Sequence, residues 1–254
     1  MNKLKIFLVF FVLLISIGAV SAEGNFTSLQ TDIANSADSI DIAQDYTFDE
    51  KSDVELTTGI VINKTNFVIN GNGHTLDGNG MSRIFDVNGA NITINNLNFI
   101  NGKGNIGGAI VADAKDTVIN NCTFNGNNAT NDGGAIVFRN TGSVINSLFT
   151  DNYSPDSGAI GVYQSEVIVN TSTFTSSIDL EKGFIHGAEA SIIVQNSIFK
   201  DTVSKYAAII SDRVTVVENS KFINLKAKES GGAIIIKELD NAVIYGCSFI
   251  NVSS

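Results

Sequence analysis

Apolar and polar positions along this chain recur with a long period, and local alternation is nested inside it. Seven phenylalanines mark the period: Phe99, Phe124, Phe149, Phe174, Phe199, Phe222 and Phe249, at spacings of 25, 25, 25, 25, 23 and 27. Five residues before each stands a β-branched residue (Ile94, Ile119, Val144, Val169, Val194, Val217, Ile244), and three before it Asn recurs at Asn96, Asn121, Asn146, Asn196 and Asn219, with Thr171 and Gly246 as departures. A second column reads Ile60, Ile84, Ile110, Ile136, Ile160, Ile185, Ile209 and Ile234. A fixed period of this length marks a solenoid, in which each repeat buries its apolar side against its neighbours.

Parity within one repeat predicts its geometry. Positions −7, −5 and −3 from Phe share one strand face, whereas Phe has the other parity, so a bend must separate −3 from −2. Position −2, small nearly throughout (Cys122, Ser147, Ser172, Ser197, Ser220, Cys247), then packs inward with Phe, and the mostly polar −4 position points out. The −3 Asn column is placed inside the bend, as a ladder of stacked amides. The expected fold is all-β: a single right-handed parallel β-helix of about eight coils, the hand following from the crossover rule. Glycines before the Ile column (Gly107-Gly108, Gly133-Gly134, Gly231-Gly232) allow positive φ and close approach of coils.

The chain divides into three parts. Residues 1–22 have the layout of a secretory signal: Lys3 and Lys5, an apolar centre from Ile6 to Val20, then Val20-Ser21-Ala22. Residues 23–50 are expected to form an N-terminal cap and first strand, with Phe26, Leu29 and Ile33 at helical spacing, Asn25 as the helix cap, and alternation over Ser39–Ala43. Residues 51–254 are expected to form the β-helix, with Val252-Ser253-Ser254 falling in mid-coil.

Composition narrows the function. The formal net charge is −10, and −12 once Lys3 and Lys5 leave with the signal, which argues against nucleic-acid binding. Cys122 and Cys247 share one column five coils apart, roughly 24 Å at about 4.8 Å per strand, so they are read as small buried fillers and not as a disulfide. The turn after Phe varies most in composition, so recognition is expected there, over Asn125 to Asp132 in one coil.

The Gly-Gly-Ala-Ile motif (107–110, 133–136, 231–234) paired with Phe-x-x-Asn (Phe124 to Asn127, Phe149 to Asn152) resembles the repeat of polymorphic outer-membrane proteins. With the signal, the capping segment and Gly71-Asn72-Gly73-His74-Thr75-Leu76-Asp77-Gly78, the chain looks like the adhesin-like β-helix proteins of methanogenic archaea. That resemblance implies cell-surface display and adhesion, with glycans or proteins of another cell as partners and an extracellular location. A purely structural envelope component is the bland alternative. A polysaccharide lyase, hydrolase or epimerase is the enzymatic one.

Candidate chemistry is sparse. Arg83, Arg139 and Arg213 occupy different columns, His74 belongs to a Gly-rich turn, and His186 follows a column Ile in one coil. No catalytic, cofactor or metal site is assigned. Asp132, Asp156 and Glu181 precede the Ile column by four residues in successive coils, followed by Lys205; stacked, they would offer weak Ca²⁺ binding at most. The −6 positions Val118, Ile168, Ile193, Val216 and Val243 should form an outward apolar stripe. Sequons occur at Asn25, Asn63, Asn91, Asn121, Asn128, Asn152, Asn170 and Asn251; Asn121 is expected to be closed off inside the ladder, and Asn128 and Asn152 exposed.

Overall fold

The computed structural model describes residues 24–213, 215–237 and 242–254, so the signal segment 1–22 lies outside the described residues. A helix, α1 (Phe26–Asn35), comes first, and parallel strands follow. Its start follows from local chemistry: the Asn25 side chain accepts from Ser28 N at 2.8 Å, and Asn25 N donates back to Ser28 Oγ at 3.1 Å. Phe26, Leu29 and Ile33 are its buried face, as their spacing predicts.

Among the described residues the strands fall into three parallel sheets of eight, nine and nine strands that wind as one solenoid, with a two-stranded parallel sheet beside them. Each coil crosses an Ile sheet (Ile110–Ala112, for instance), then a Val sheet (Thr117–Asn120), then a Phe sheet (Thr123–Asn125). The Phe column is in register from Phe99 to Phe249, and Leu76 and Tyr46 continue it below. Its rings stack at 4.7–5.1 Å and lie 3–8° from parallel. The Ile column holds with one correction: Phe85, not Ile84, pairs with Ile60 and Ile110. Ile84 is also buried, one position earlier in the turn.

The −3 column turns out otherwise than parity predicts. Asn96, Asn121, Asn146, Asn196 and Asn219 are exposed and adopt φ of +48 to +53. A left-handed residue reverses the side-chain alternation, so positions −5 and −2 both face inward while −3 points out at the corner. Asn, like Gly, tolerates that conformation. Gly246 at the same place has φ +63, and Thr171 has φ +53, which a β-branched residue adopts only under strain. The ladder exists on the outside: Asn146 Nδ2 donates to Asn121 Oδ1, and Asn121 Nδ2 to Asn96 Oδ1, both at 3.1 Å.

The buried amide ladder is the Asn of Phe-x-x-Asn. Asn127 is fully buried and Asn152 nearly so. Asn127 Nδ2 donates to Phe99 O (3.0 Å) and Asn152 Oδ1 (2.9 Å), and its Oδ1 accepts from Gly102 N (2.8 Å). Asn127→Ala removes three buried hydrogen bonds and leaves Gly102 N without its acceptor, while Asn152 Oδ1 keeps the Asn127 N–H at 3.0 Å. Each orphaned group costs about 1–3 kcal/mol. The expected result is a loss of about 3 kcal/mol in urea unfolding, against almost none for the exposed neighbour Asn128→Ala.

The −2 column behaves as read. Ser147, Ser172, Ser197 and Ser220 are buried, each Oγ accepting from the backbone N–H at −2 in the preceding coil at 3.1–3.2 Å. Cys122 lies inside with its thiol pushed up to about 12 by burial, and both cysteines are free. In the Gly-Gly motif, Gly107 and Gly133 have φ of +57 and +62. A Cβ on Gly108 would stand 2.2 Å from Gly134 O, so close stacking of backbones excludes any side chain there.

The lower end of the Ile sheet is closed by α1. Gln30 Nε2 donates to Val61 O at 3.1 Å and its Oε1 accepts from Val61 N at 2.7 Å, as a neighbouring strand would do. Asp53 anchors the helix start. Its buried carboxylate accepts from Phe26 N (3.0 Å), Thr27 N (2.8 Å), Thr27 Oγ1 (2.6 Å) and Asp49 N (2.8 Å). In the last coil Ile244, Phe249 and Ile250 are about half exposed.

Candidate functional site

The turn after Phe is more ordered than its varied composition suggests. Lys103–Ile106 and Asn128–Asp132 pair as parallel strands, and in later coils Ile198–Ser204 and Lys221–Ala227 run straight through the same region. Within Asn125–Asp132, Asn127, Ala129 and Asp132 are buried, which leaves Asn125, Gly126, Asn128, Thr130 and Asn131 outside. Five of these eight residues are therefore open to contact.

The three carboxylates read as a stack go separate ways. Asp132 is buried and turned under the neighbouring coil, accepting from Gly133 N at 2.7 Å and from Ser157 Oγ. Asp156 pairs with Lys182 at 2.5 Å, Glu181 is exposed, and Lys205 pairs with Glu229 at 3.5 Å. Among the described residues no three His, Cys, Asp or Glu side chains converge as metal ligands.

The two histidines are placed differently. His74 Nδ1 lies 3.0 Å from Asp45 Oδ1 and ties the Gly-rich turn to the capping segment. Asp45 is held below the usual carboxylate range, first by the Thr75 N–H and then by His74. His186 stands on the outer face of the Ile sheet, paired with Gly161 on one side and Ile210 on the other. It is mostly covered, and burial draws its pKa below the ordinary value, aided by the charge of Lys182.

The arginines also separate. Arg83 donates to the carbonyls of Thr58, Ile106 and Gly107 and is used up in the fold. Arg139 pairs with Asp113 at 3.1 Å and stays half exposed. Arg213 lies 3.9 Å from Glu189.

A surface depression that the sequence did not single out lies on the outer side of the Ile sheet. Ile106, Arg139, Tyr163 and Gln164 line a space of about 340 Å³. They come from three successive coils. Burial and the Asp132 carboxylate both raise the Tyr163 hydroxyl's pKa, so the phenol stays protonated beside that carboxylate.

The −6 stripe does face outward. Ile168 and Val243 are 37% and 44% exposed, and Val118, Ile193 and Val216 are half-buried. Thr93 and Ser143 occupy the same row, so the apolar run is continuous only from Ile168 upward. Two of the sequon expectations reverse: Asn121 is exposed, and Asn152 is buried in the ladder, while Asn128 is exposed as expected.

The fold defines a parallel β-solenoid with a helical cap at its N-terminal end. No protein-family profile and no curated protein matches the chain. A solved structure titled "L. reuters 100-23 SRRP" aligns over 91% of this chain and 97% of its own, with 13% identity and a TM-score of 0.34. A likeness of that size fixes neither family nor role. Among the described residues no helix is long and apolar enough to cross a membrane.

Proposed function

We propose that this chain is an exported, surface-displayed, adhesin-like β-helix that acts by binding, with glycans of a cell surface or matrix as its partners. One observation supports the reading most. The carboxylates of Asp53 and Asp132 are buried and taken up by internal hydrogen bonds, and Arg139, Lys182 and Lys237 each pair with a carboxylate of another coil. What faces outward is a long surface of amides, hydroxyls and charges with acids in excess, suited to contact. The resemblance of the repeat columns to those of adhesin-like β-helix proteins of methanogenic archaea, and the signal-like residues 1–22, support display outside the cell.

The test is a glycan array together with a cell-binding assay on the purified chain. Saturable binding that competes with a soluble glycan is the expected result. Release of unsaturated or reducing sugar ends from polysaccharides would overturn the reading in favour of an enzyme. No binding to any glycan or cell would leave a purely structural role.

A further inference from the structure

We propose that the depression lined by Ile106, Arg139, Tyr163 and Gln164 is a subsite for one uncharged sugar ring of a bound glycan; this rests on the glycan-binding reading above. The construction begins with the backbone. Strand Ile160–Tyr163 runs one residue longer than its neighbour Ile136–Phe138, and alternation buries Ile160 and Val162 while Tyr163 faces out. Register places Val137 and Gly161 in neighbouring coils on that outer face.

Gly161 creates the space for the anchor. A Cβ there would lie 2.8 Å from Asp132 Oδ1, so the Asp132 carboxylate fills the place of the missing side chain. That carboxylate is itself immobilised by Gly133 N and Ser157 Oγ, and burial together with this nearby charge raises the Tyr163 pKa. The Tyr163 ring borders the depression half exposed. A tyrosine side chain has only two χ angles and gives a large contact at little cost in conformational freedom.

The rest of the lining fits the two-sided character of a pyranose, which presents C–H bonds on its face and hydroxyls around its edge. Ile106 and Tyr163 offer the apolar contact. Arg139 and Gln164 supply the polar rim, each already oriented: Arg139 by Asp113 at 3.1 Å, and Gln164 Nε2 by Glu189 Oε2 at 3.1 Å. An apolar floor with few fixed polar groups is the usual make-up of a small-ligand site. Because the Arg139 charge is met by Asp113 and Gln164 is neutral, the lining has no spare cation for a carboxylate, and an uncharged sugar suits it better than a uronate. Coils advance by about 4.8 Å, a step on the scale of one sugar unit, so neighbouring coil edges can meet neighbouring units of the same chain.

The experiment titrates the full chain with cello-, malto- and manno-oligosaccharides, with an oligogalacturonide as the acidic comparator. Calorimetry and tyrosine emission are both suitable readouts, since the chain has five Tyr and no Trp. Expected is binding of at least one neutral series, weakened about tenfold or more by Tyr163→Ala, the loss of one aromatic contact. Gln164→Ala, an exposed change that leaves the core untouched, should weaken it several-fold and serves if Tyr163→Ala melts early. Undiminished binding by both variants would overturn the subsite while leaving glycan binding intact. Tighter binding of the oligogalacturonide than of every neutral series would overturn the uncharged-sugar assignment. No glycan bound by the unaltered chain, here or on the array, would overturn both readings.

Discussion

Phe149→Ala is expected to lower stability by about 3–5 kcal/mol, the cost of emptying a fully buried aromatic site. Phe149 has no exposed surface and stacks on Phe124 at 4.8 Å and on Phe174 at 4.7 Å, so both contacts of the column break together. Collapse around the hole is restricted, because the flanking Phe rings are tied to strands whose spacing is set by backbone hydrogen bonds. At about 2–4 °C per kcal/mol for a chain of this size, the melting temperature should fall by roughly ten degrees. A solenoid couples each coil only to its neighbours, so the transition should also broaden or split as coils on either side of the gap unfold separately. Leu148→Ala, one residue away and 40% exposed, should change melting little. Equal effects of the two substitutions in calorimetry would count against a stacked core at Phe149.

Asp53→Ala should release the N-terminal cap at a cost of about 3–4 kcal/mol, since it strands buried N–H donors that met a carboxylate. The lost acceptor serves Phe26 N, Thr27 N and Asp49 N, and its negative charge sits where the helix dipole favours one. Once α1 lifts, Gln30 leaves Val61 and the edge of the Ile sheet is bare. Hydrogen exchange checks this directly. Amides of Phe26, Thr27 and Val61 should lose protection while those of the Phe124 coil keep theirs. Asp53→Asn, which retains one acceptor oxygen, should fall between. Unchanged exchange at Val61 would mean that the edge is protected without the helix.

Much of the architecture was legible because burial in a solenoid repeats one residue at a time. The period, the Phe and Ile columns, the small −2 column and the outward −4 column each depend only on which residue types recur. The capping helix was legible for a similar reason: Asn25, Phe26, Leu29 and Ile33 form a local pattern complete in itself.

The Asn columns depart from parity for one physical reason. Parity counting assumes continuous strand backbone, and a single left-handed residue at −3 breaks that continuity. Gly246 in the same column was the available signal, because a site shared by Asn and Gly points to positive φ. A positive φ in that column puts Asn121 outside and leaves the inner ladder to the Asn of Phe-x-x-Asn. The same reasoning reverses the two sequons, exposing Asn121 and closing Asn152.

The surface site was not legible at all. Tyr163 occurs in one coil, Arg139 in another and Ile106 in a third, with no repeat to draw attention to any of them. Asp132 was read by its spacing as one of a row of exposed carboxylates, but Gly161, 29 residues later in the sequence, gives it somewhere to be buried.

The sequence by itself determined the coil, its length, its inward columns and its cap, since these follow from periodic burial and local capping chemistry. Only the tertiary structure decided which asparagines are inside, where the Asp132 carboxylate points, and which side chains from different coils share one depression. The first depends on the sign of φ at one corner residue. The others depend on how far side chains reach between stacked coils, and neither quantity is written in a local pattern of apolar and polar positions.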